Sequence, residues 1–207
     1  NYFYDSAAML YALTEARQWK VGVLVDEAHN LLERARRMYT AELSPWALAA
    51  ARKAATGAVK KALGSLQRQL QAAHQGQQAD YQAYDSIPKG LLGAVQRAVG
   101  AIGDAQGDQP LMPGDPVLDF YWEALQWLAL AEQFGPHALF DIRLVPPHGA
   151  RSARYGPQAV LCIRSVIPAP HLAPRYAAAQ ATVLFSGTLS PPQFYQDLLG
   201  LPPDTPW

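Results

Sequence analysis

The stretch VGVLVDEAHN, residues 21–30, indicates the fold class of this 207-residue chain. It opens with an apolar run that includes three valines and one glycine and is too short for a helix, so it predicts a strand. An unbroken apolar strand of this kind is typical of a parallel sheet covered on both faces. Ligands of open parallel sheets bind at the carboxyl ends of the strands. Asp26 and Glu27 are therefore expected where a phosphate and a metal ion would bind.

A second apolar run, residues 181–185, also ends in a polar cluster, Ser186-Gly187-Thr188. Adjacent carboxylates at a strand end suit phosphoryl transfer to water. One can hold Mg²⁺, often through water, and the other can orient and deprotonate the attacking water. His29 lies on the following turn, where it could relay the state of the site to another segment. Two plainer interpretations stay open: the acidic pair caps the next helix, and residues 186–188 form an ordinary turn.

Composition and charge narrow the function classes further. Half of the residues are hydrophobic, which excludes wholesale disorder, and the only cysteine, Cys162, excludes a disulfide scaffold or a multi-thiolate metal site built by this chain alone. No apolar run reaches the length of a membrane span, and the first residues lack the basic region of a signal peptide. The chain begins without Met, which suggests a piece of a longer protein.

The zero net charge hides an uneven distribution. Residues 1–75 carry ten Lys/Arg and six Asp/Glu, residues 76–140 carry two and eight, and residues 141–207 carry five and three. Within 44–75 there are five basic residues and no acidic one. A uniformly basic domain is thus excluded, but a basic face that contacts nucleic acid is not.

The basic residues are expected on one long helix that starts at Ser44-Pro45 and runs to about His74. At about 100° per residue, its apolar positions fall in one sector and four basic residues in another. This basic stripe comprises Lys53, Lys60, Lys61 and Arg68. It is either a solvated helix face or a surface for nucleic-acid phosphates. Its single sign favours the second interpretation, because solvated faces usually mix signs.

The rest of the chain predicts further helices and a small sheet. We expect a helix over 31–43, another over 86–103, a loop over 103–116, and an aromatic-rich helix that starts at Asp115-Pro116. Its aromatic residues are predicted to lie mainly in the core. Residues 139–145 and 159–167 are predicted as strands.

Two motifs resemble those of a known family. VLVDEAHN, residues 23–30, resembles motif II (the Walker B box) of superfamily 2 helicases, and FSGTLSP, residues 185–191, resembles motif III of the XPD/DinG branch. The opening Asn1-Tyr2 also resembles the segment before motif II in that branch. The family carries both motifs on neighbouring strands of its first RecA-like domain, separated by a mostly helical insertion called the Arch domain. The resemblance is specific over about 20 residues at the two ends of the chain.

The resemblance implies a role for each motif residue. Asp26 would be the Mg²⁺-linked acid, holding the metal through water, and Glu27 would activate the hydrolytic water. His29 would couple hydrolysis to movement along the strand. Ser186, Gly187 and Thr188 would form the motif that links the ATP site to the DNA-binding elements.

The family's layout also implies what this chain contributes. We expect residues 1–38 and 169–207 to be parts of the first helicase domain and residues 39–168 to be an Arch-type insertion. The fold class is therefore mainly α with a small β element. The phosphate-binding Walker A box, the second helicase domain and the cysteines of a 4Fe-4S cluster would lie outside this chain, which should not hydrolyse ATP by itself.

The resemblance further implies ATP and Mg²⁺ as cofactors and single-stranded or forked DNA as partner. The family's traits are 5′→3′ polarity and a role in repair or replication. The candidate DNA-binding residues of the Arch part are Lys53, Lys60, Lys61, Arg68, Arg151 and Arg154. The expected location is the bacterial cytoplasm, at the nucleoid and not at a membrane. Two alternatives stay open: an Arch part that mainly docks a regulatory protein, and a DEAH-box helicase that acts on RNA.

Overall fold

The computed structural model describes residues 3–5, 8–108, 111–146 and 157–207. The helices are α1 Met9–Arg17, α2 Leu31–Met38, α3 Pro45–Ala54, α4 Gly57–Ala73, α5 Lys89–Asp108, α6 Pro116–Glu132, α7 Ala169–Ala178 and α8 Pro192–Leu199, with a short 3-10 helix at Ala28–Asn30. The strands are β1 Gly22–Asp26, β2 Ala41–Leu43, β3 Tyr81–Tyr84, β4 Ala138–Val145, β5 Gln158–Ser165 and β6 Ala181–Phe185. The predicted fold class, mainly α with a small β element, is confirmed.

The chain divides into two compact units. Unit 1 comprises Asn1–Thr40 and Ser165–Trp207, and unit 2 comprises Ala41–Arg164. Unit 2 is therefore one continuous segment inserted between the two parts of unit 1.

Unit 1 contains a two-stranded parallel sheet of β1 and β6. The strands pair from Gly22 opposite Ala181 to Asp26 opposite Phe185. Side chains alternate between half-buried and exposed along both strands, and Leu24 is 75% exposed. The apolar run formed the predicted strand, but within unit 1 one face of the sheet stays open to solvent.

An aromatic cluster holds the two parts of unit 1 together. The Tyr39 hydroxyl donates to the Tyr4 carbonyl at 2.7 Å, and the Tyr39 ring stacks on His171 at 4.3 Å. The Arg175 guanidinium lies 4.5 Å from the centre of the Tyr11 ring and donates to the Phe3 carbonyl at 2.8 Å. The N-terminal segment and α7 are thus linked by cation–π and hydrogen-bonding contacts.

Unit 2 packs its helices on one face of a four-stranded sheet with the order β2-β5-β4-β3. The β2–β5 and β3–β4 pairs are antiparallel. Trp127 and Phe120 of α6 and Phe140 of β4 are fully buried, and the Trp127 and Phe140 rings meet edge to face at 6.4 Å. This core explains why α6, with its Asp115 cap and Pro116 start, forms as predicted.

The prediction of one helix from Ser44 to His74 is wrong, because the helix breaks between α3 and α4. Ser44 caps α3 through the Ala47 N–H, as its sequence predicts, but Ala55 is extended at φ −70° and ψ 153°. Gly57 then takes a φ of +54°, which glycine adopts without the penalty of a side chain. The predicted apolar positions Leu48, Leu63 and Leu66 are nonetheless buried.

Three further expectations need correction. The helix predicted over 31–43 ends at Met38, because residues 41–43 pair with β5 as a strand. The loop predicted over 103–116 is shorter, since α5 continues to Asp108. Trp122, predicted among core aromatics, is 60% exposed because it lies on the outer face of α6.

The other face of the unit 2 sheet carries charged side chains. Arg164 of β5 donates from Nε to Asp141 Oδ2 of β4 at 2.9 Å, and Asp141 is only 1% exposed. Cys162 lies on β5 two residues before Arg164 and is buried as a free thiol, and burial raises its pKa to about 12. This cysteine is an inert core residue at neutral pH.

Among the described residues, no helix is both long enough and apolar enough to cross a bilayer.

Candidate active site

The β1–β6 sheet brings the two sequence motifs to one edge. Because the strands are parallel and in register, both carboxyl ends lie at the same edge of the sheet. The Gln180 N–H donates to the Val21 carbonyl at 2.9 Å and continues the pairing at the opposite end. Glu27 and Ser186, the residues that follow the two strands, consequently become neighbours although 159 positions separate them.

Side chains from both motifs form one hydrogen-bonded group, the strand-end cluster of Asp26, Glu27, His29, Ser186 and Thr188. His29 Nδ1 lies 2.8 Å from Ser186 Oγ and 3.2 Å from Glu27 Oε2. The Ser186 hydroxyl lies 3.4 Å from Glu27 Oε2, to which it can donate. With its proton on Nδ1, His29 would donate a hydrogen bond to Ser186 Oγ, while the Ser186 hydroxyl donates to Glu27. The cluster thus joins the imidazole of one motif to the hydroxyl of the other.

The backbone at Glu27 has a conformation that few side chains adopt. Glu27 has φ +50° and ψ 46°, in the left-handed region, which costs a non-glycine residue about 1–2 kcal/mol. The Glu27 N–H donates to Asp26 Oδ1 at 2.7 Å. Strained backbone conformations of this kind are concentrated at functional sites. The turn at Glu27 is therefore a candidate functional site.

The acidic pair was also interpreted as a helix cap, and the hydrogen bonds of the described residues do not support that interpretation. Glu27 precedes the 3-10 helix at Ala28–Asn30, and Asn30 precedes α2. Neither side chain makes a capping hydrogen bond to its helix. The Glu27 side chain is 64% exposed and Asp26 is exposed as well. Both carboxylates are therefore accessible to a ligand from solvent.

Motif residues 186–188 turn back on themselves. Ser186 Oγ accepts from the Thr188 N–H at 3.4 Å and lies 3.4 Å from Thr188 Oγ1. Tyr195 of α8 donates from its hydroxyl to the Thr188 carbonyl at 3.4 Å. A side chain added at Gly187 would meet nothing within 4 Å among the described atoms, so local packing gives no reason for a glycine there.

Tyr195 was missed by sequence reasoning. Its only sequence signal is its position in the first turn of α8, the helix that the Pro191-Pro192 pair starts after the motif.

The donor set fits Mg²⁺ better than a closed metal cage. Across the described residues, no group of three or more His, Cys, Asp or Glu side chains could enclose an ion. Asp26 and Glu27 instead offer exposed carboxylate oxygens. Mg²⁺ commonly binds through one or two carboxylates and keeps its remaining ligands as water or phosphate oxygen. The residues present are compatible with that mode of binding.

The candidate DNA-binding residues of unit 2 lie on two helices and not on one stripe. Lys53 lies in the last turn of α3, whereas Lys60, Lys61 and Arg68 lie on α4 within a sector of about 100°. All four are exposed. We call the three α4 residues the basic α4 face. Arg151 and Arg154 lie outside the described residues.

Comparison with known proteins finds the fold of this chain among solved structures. No protein-family profile and no curated protein matches the chain. Two solved structures do match, one titled "XPD_Helicase" with a TM-score of 0.52 and 17% identity, and one titled "XPD_APO" with 0.54 and 16%. The chain shares their fold.

The match covers most of this chain but a minor part of the solved ones. It takes in 86% and 97% of this chain, and 29% and 36% of the two XPD chains. At this sequence identity the likeness shows the fold alone, and this chain spans about a third of the length of the matched chains.

Proposed function

We propose that this chain is a segment of an ATP-dependent DNA helicase of the XPD/DinG type. Its strand-end cluster would serve ATP hydrolysis, and its unit 2 would be an Arch-type insertion that guides single-stranded DNA. In this proposal residues 1–38 and 169–207 belong to the first helicase domain and residues 39–168 to the insertion. The observation that carries the proposal is the 2.8 Å approach of His29 Nδ1 to Ser186 Oγ, which joins two motifs from distant parts of the sequence.

Each carboxylate has a separate part in the proposed chemistry. Bound Mg²⁺ would neutralise charge on the ATP phosphates. Asp26 would hold it, directly or through water. Glu27, with its exposed carboxylate, would orient the attacking water and accept its proton.

The hydroxyl and imidazole groups would connect hydrolysis to strand movement. Ser186 contacts Glu27, His29 and Thr188, so a change in charge or position at Glu27 alters hydrogen bonds on the segment after β6. Tyr195 links this segment to α8, because its hydroxyl donates to the Thr188 carbonyl. Ser186 is therefore a positioning residue that would pass the state of the nucleotide site to a neighbouring element.

The experiment that tests this proposal measures ATP turnover by the full-length protein with single-stranded DNA or RNA of the same sequence. We expect DNA to stimulate turnover more than RNA, and Glu27→Gln to lower it about 100-fold or more, the size expected for loss of a general base. Glu33→Gln is the matched control, because Glu33 is also exposed and pairs with Arg37 on α2 at 3.3 Å, away from the strand-end cluster. Turnover retained in Glu27→Gln would contradict the proposal, and stronger stimulation by RNA would favour an RNA helicase.

A second variant tests the coupling. Ser186→Ala should keep nucleotide binding, because Ser186 is not proposed to hold the metal, but should lower strand separation more than basal ATP turnover. Thr205→Ala provides the control, since its hydroxyl donates to the Pro202 carbonyl of its own turn at 2.7 Å. Equal loss of strand separation in both variants would argue against a coupling role for Ser186.

A further inference from the structure

Unit 2 contains a groove between α3 and α4. It has a volume of about 410 Å³ and opens beside the first residues of β5. This volume falls within the range of about 300–1,000 Å³ typical of small-molecule sites. Leu48 and Leu70 form its apolar floor and are 1% and 5% exposed.

Polar groups surround that floor without any negative charge. Arg52 comes from α3, Gln67 and Gln71 come from α4, His74 follows the end of α4, and Gln158 comes from β5. Among the described residues that line the groove, none is Asp or Glu. The sequence around it, residues 44–75, contains five basic residues and no acidic one. An anionic ligand would therefore meet no negative charge that repels it on these two helices.

Arg52 is held across the groove. Its Nη1 donates to Gln67 Oε1 at 2.6 Å, which links α3 to α4. Its guanidinium also lies against α4, since Nε is 3.6 Å from the position that a side-chain carbon at Gly64 would take. The plane of an arginine fixed in this way is a surface on which a nucleobase stacks, and glutamine amides can bond the edge of that base.

We propose that the α3–α4 groove binds one unstacked base of single-stranded DNA, with Arg52 stacked on the base and the glutamine amides at its edge. The proposal rests on the proposed function, because it takes the strand guided by unit 2 as its ligand. The basic α4 face and Lys53 contact phosphates, whereas the groove takes a base. Unit 2 would thus bind both parts of a nucleotide at separate surfaces.

Two adjacent alanines of α3 provide a matched pair of variants. Ala49 lines the groove and Ala50 does not, and both are exposed. Ala49→Trp should fill the groove without disturbing the core, and Ala50→Trp should add the same bulk beside it. Arg52→Gln and Lys53→Gln form a second pair, since each removes one charge but only Arg52 lines the groove.

The test measures binding of a fluorescent oligo(dT) to the full-length protein by anisotropy, alongside an abasic strand of equal length. We expect Ala49→Trp and Arg52→Gln to weaken oligo(dT) binding about tenfold, near the low end of the effects measured for loss of base stacking. Ala50→Trp should stay within about twofold of wild type. With the abasic strand, Ala49→Trp should bind as wild type does, because no base enters the groove. Thermal unfolding of each variant checks that it folds.

The outcomes separate the two proposals. If wild type binds oligo(dT) but Ala49→Trp and Ala50→Trp bind it equally well, the base site is overturned and DNA guidance by unit 2 stands. Equal losses on oligo(dT) and on the abasic strand would also overturn it, because the groove would then sense phosphate. If wild type binds neither strand, both the base site and the proposed role of unit 2 fail.

Discussion

Unit 1 and unit 2 bury their strands to very different degrees. In unit 2, residues 159–163 of β5 are all buried between neighbouring strands and helices. In unit 1, Leu24, Val183 and Phe185 share one face of the β1–β6 sheet and are 75%, 51% and 45% exposed. Two strands cannot cover an apolar face by themselves. Unit 2 therefore has a complete core, whereas the strand-end cluster lies on a sheet with little support within this chain.

The largest effect that separates the units should come from the core of unit 2. Trp127→Ala removes a fully buried ring that packs on Phe140, which should cost about 3–5 kcal/mol of the free energy of unfolding. Leu24→Ala in β1 should cost about 0.5 kcal/mol or less, because its side chain is mostly exposed. Urea unfolding of both variants measures the difference. Similar costs would contradict the comparison.

A smaller effect is expected from the charges on the unit 2 sheet. Arg164→Leu leaves the buried Asp141 carboxylate without its cation, which should cost about 3 kcal/mol. Glu42→Gln removes an ion pair with Arg143 at 3.8 Å, in which both side chains are about half exposed, and should cost less than about 1 kcal/mol. Thermal or urea unfolding measures which variant loses more stability. A larger loss of stability in Glu42→Gln would show that the Arg164–Asp141 pair is not the more stabilising of the two.

The smallest effect on stability should come from the open face of the β1–β6 sheet. Leu24→Thr with Val183→Thr keeps residues that favour strands and should change the free energy of unfolding by about 0.5 kcal/mol or less. The double variant should nevertheless self-associate less, because exposed apolar patches promote association. Light scattering against concentration measures this. Leu161→Thr, in buried β5, is the contrasting variant and should unfold at much lower urea. Unchanged self-association in the double variant would show that the open face of the β1–β6 sheet does not drive association.

Local sequence predicted the elements whose signals are local. The apolar runs of β1 and β6 and the capped start of α6 at Asp115 are signals inside each element, so each was predictable although β1 and β6 pair with each other over a long distance. The approach of the two motifs was expected only through the resemblance to helicases, since nothing in the residues between them indicates which strands pair.

The elements that were missed depend on distant residues. β2 has three residues and exists because Ala41–Leu43 pairs with β5, about 120 positions away. β3 lacks a hydrophobic pattern and is a strand because it pairs with β4. The break between α3 and α4 occurs in an alanine-rich stretch whose helix propensity is high, so that only Gly57 marks it. Trp122 shows the limit of periodicity, because one aromatic side chain of a buried helix can still face solvent.

The division of labour between the units is tested most directly by measuring ATP turnover and single-stranded DNA binding in parallel on the full-length protein. Glu27→Gln should lower turnover about 100-fold or more and leave DNA affinity within about twofold of wild type. Charge reversal of the basic α4 face, Lys60→Glu with Lys61→Glu and Arg68→Glu, should instead weaken DNA binding. It should also reduce the salt dependence of DNA binding by about two units, at about 0.7 per lost phosphate contact. Undiminished turnover in Glu27→Gln, or undiminished DNA affinity at low salt in the charge-reversed protein, would contradict the account.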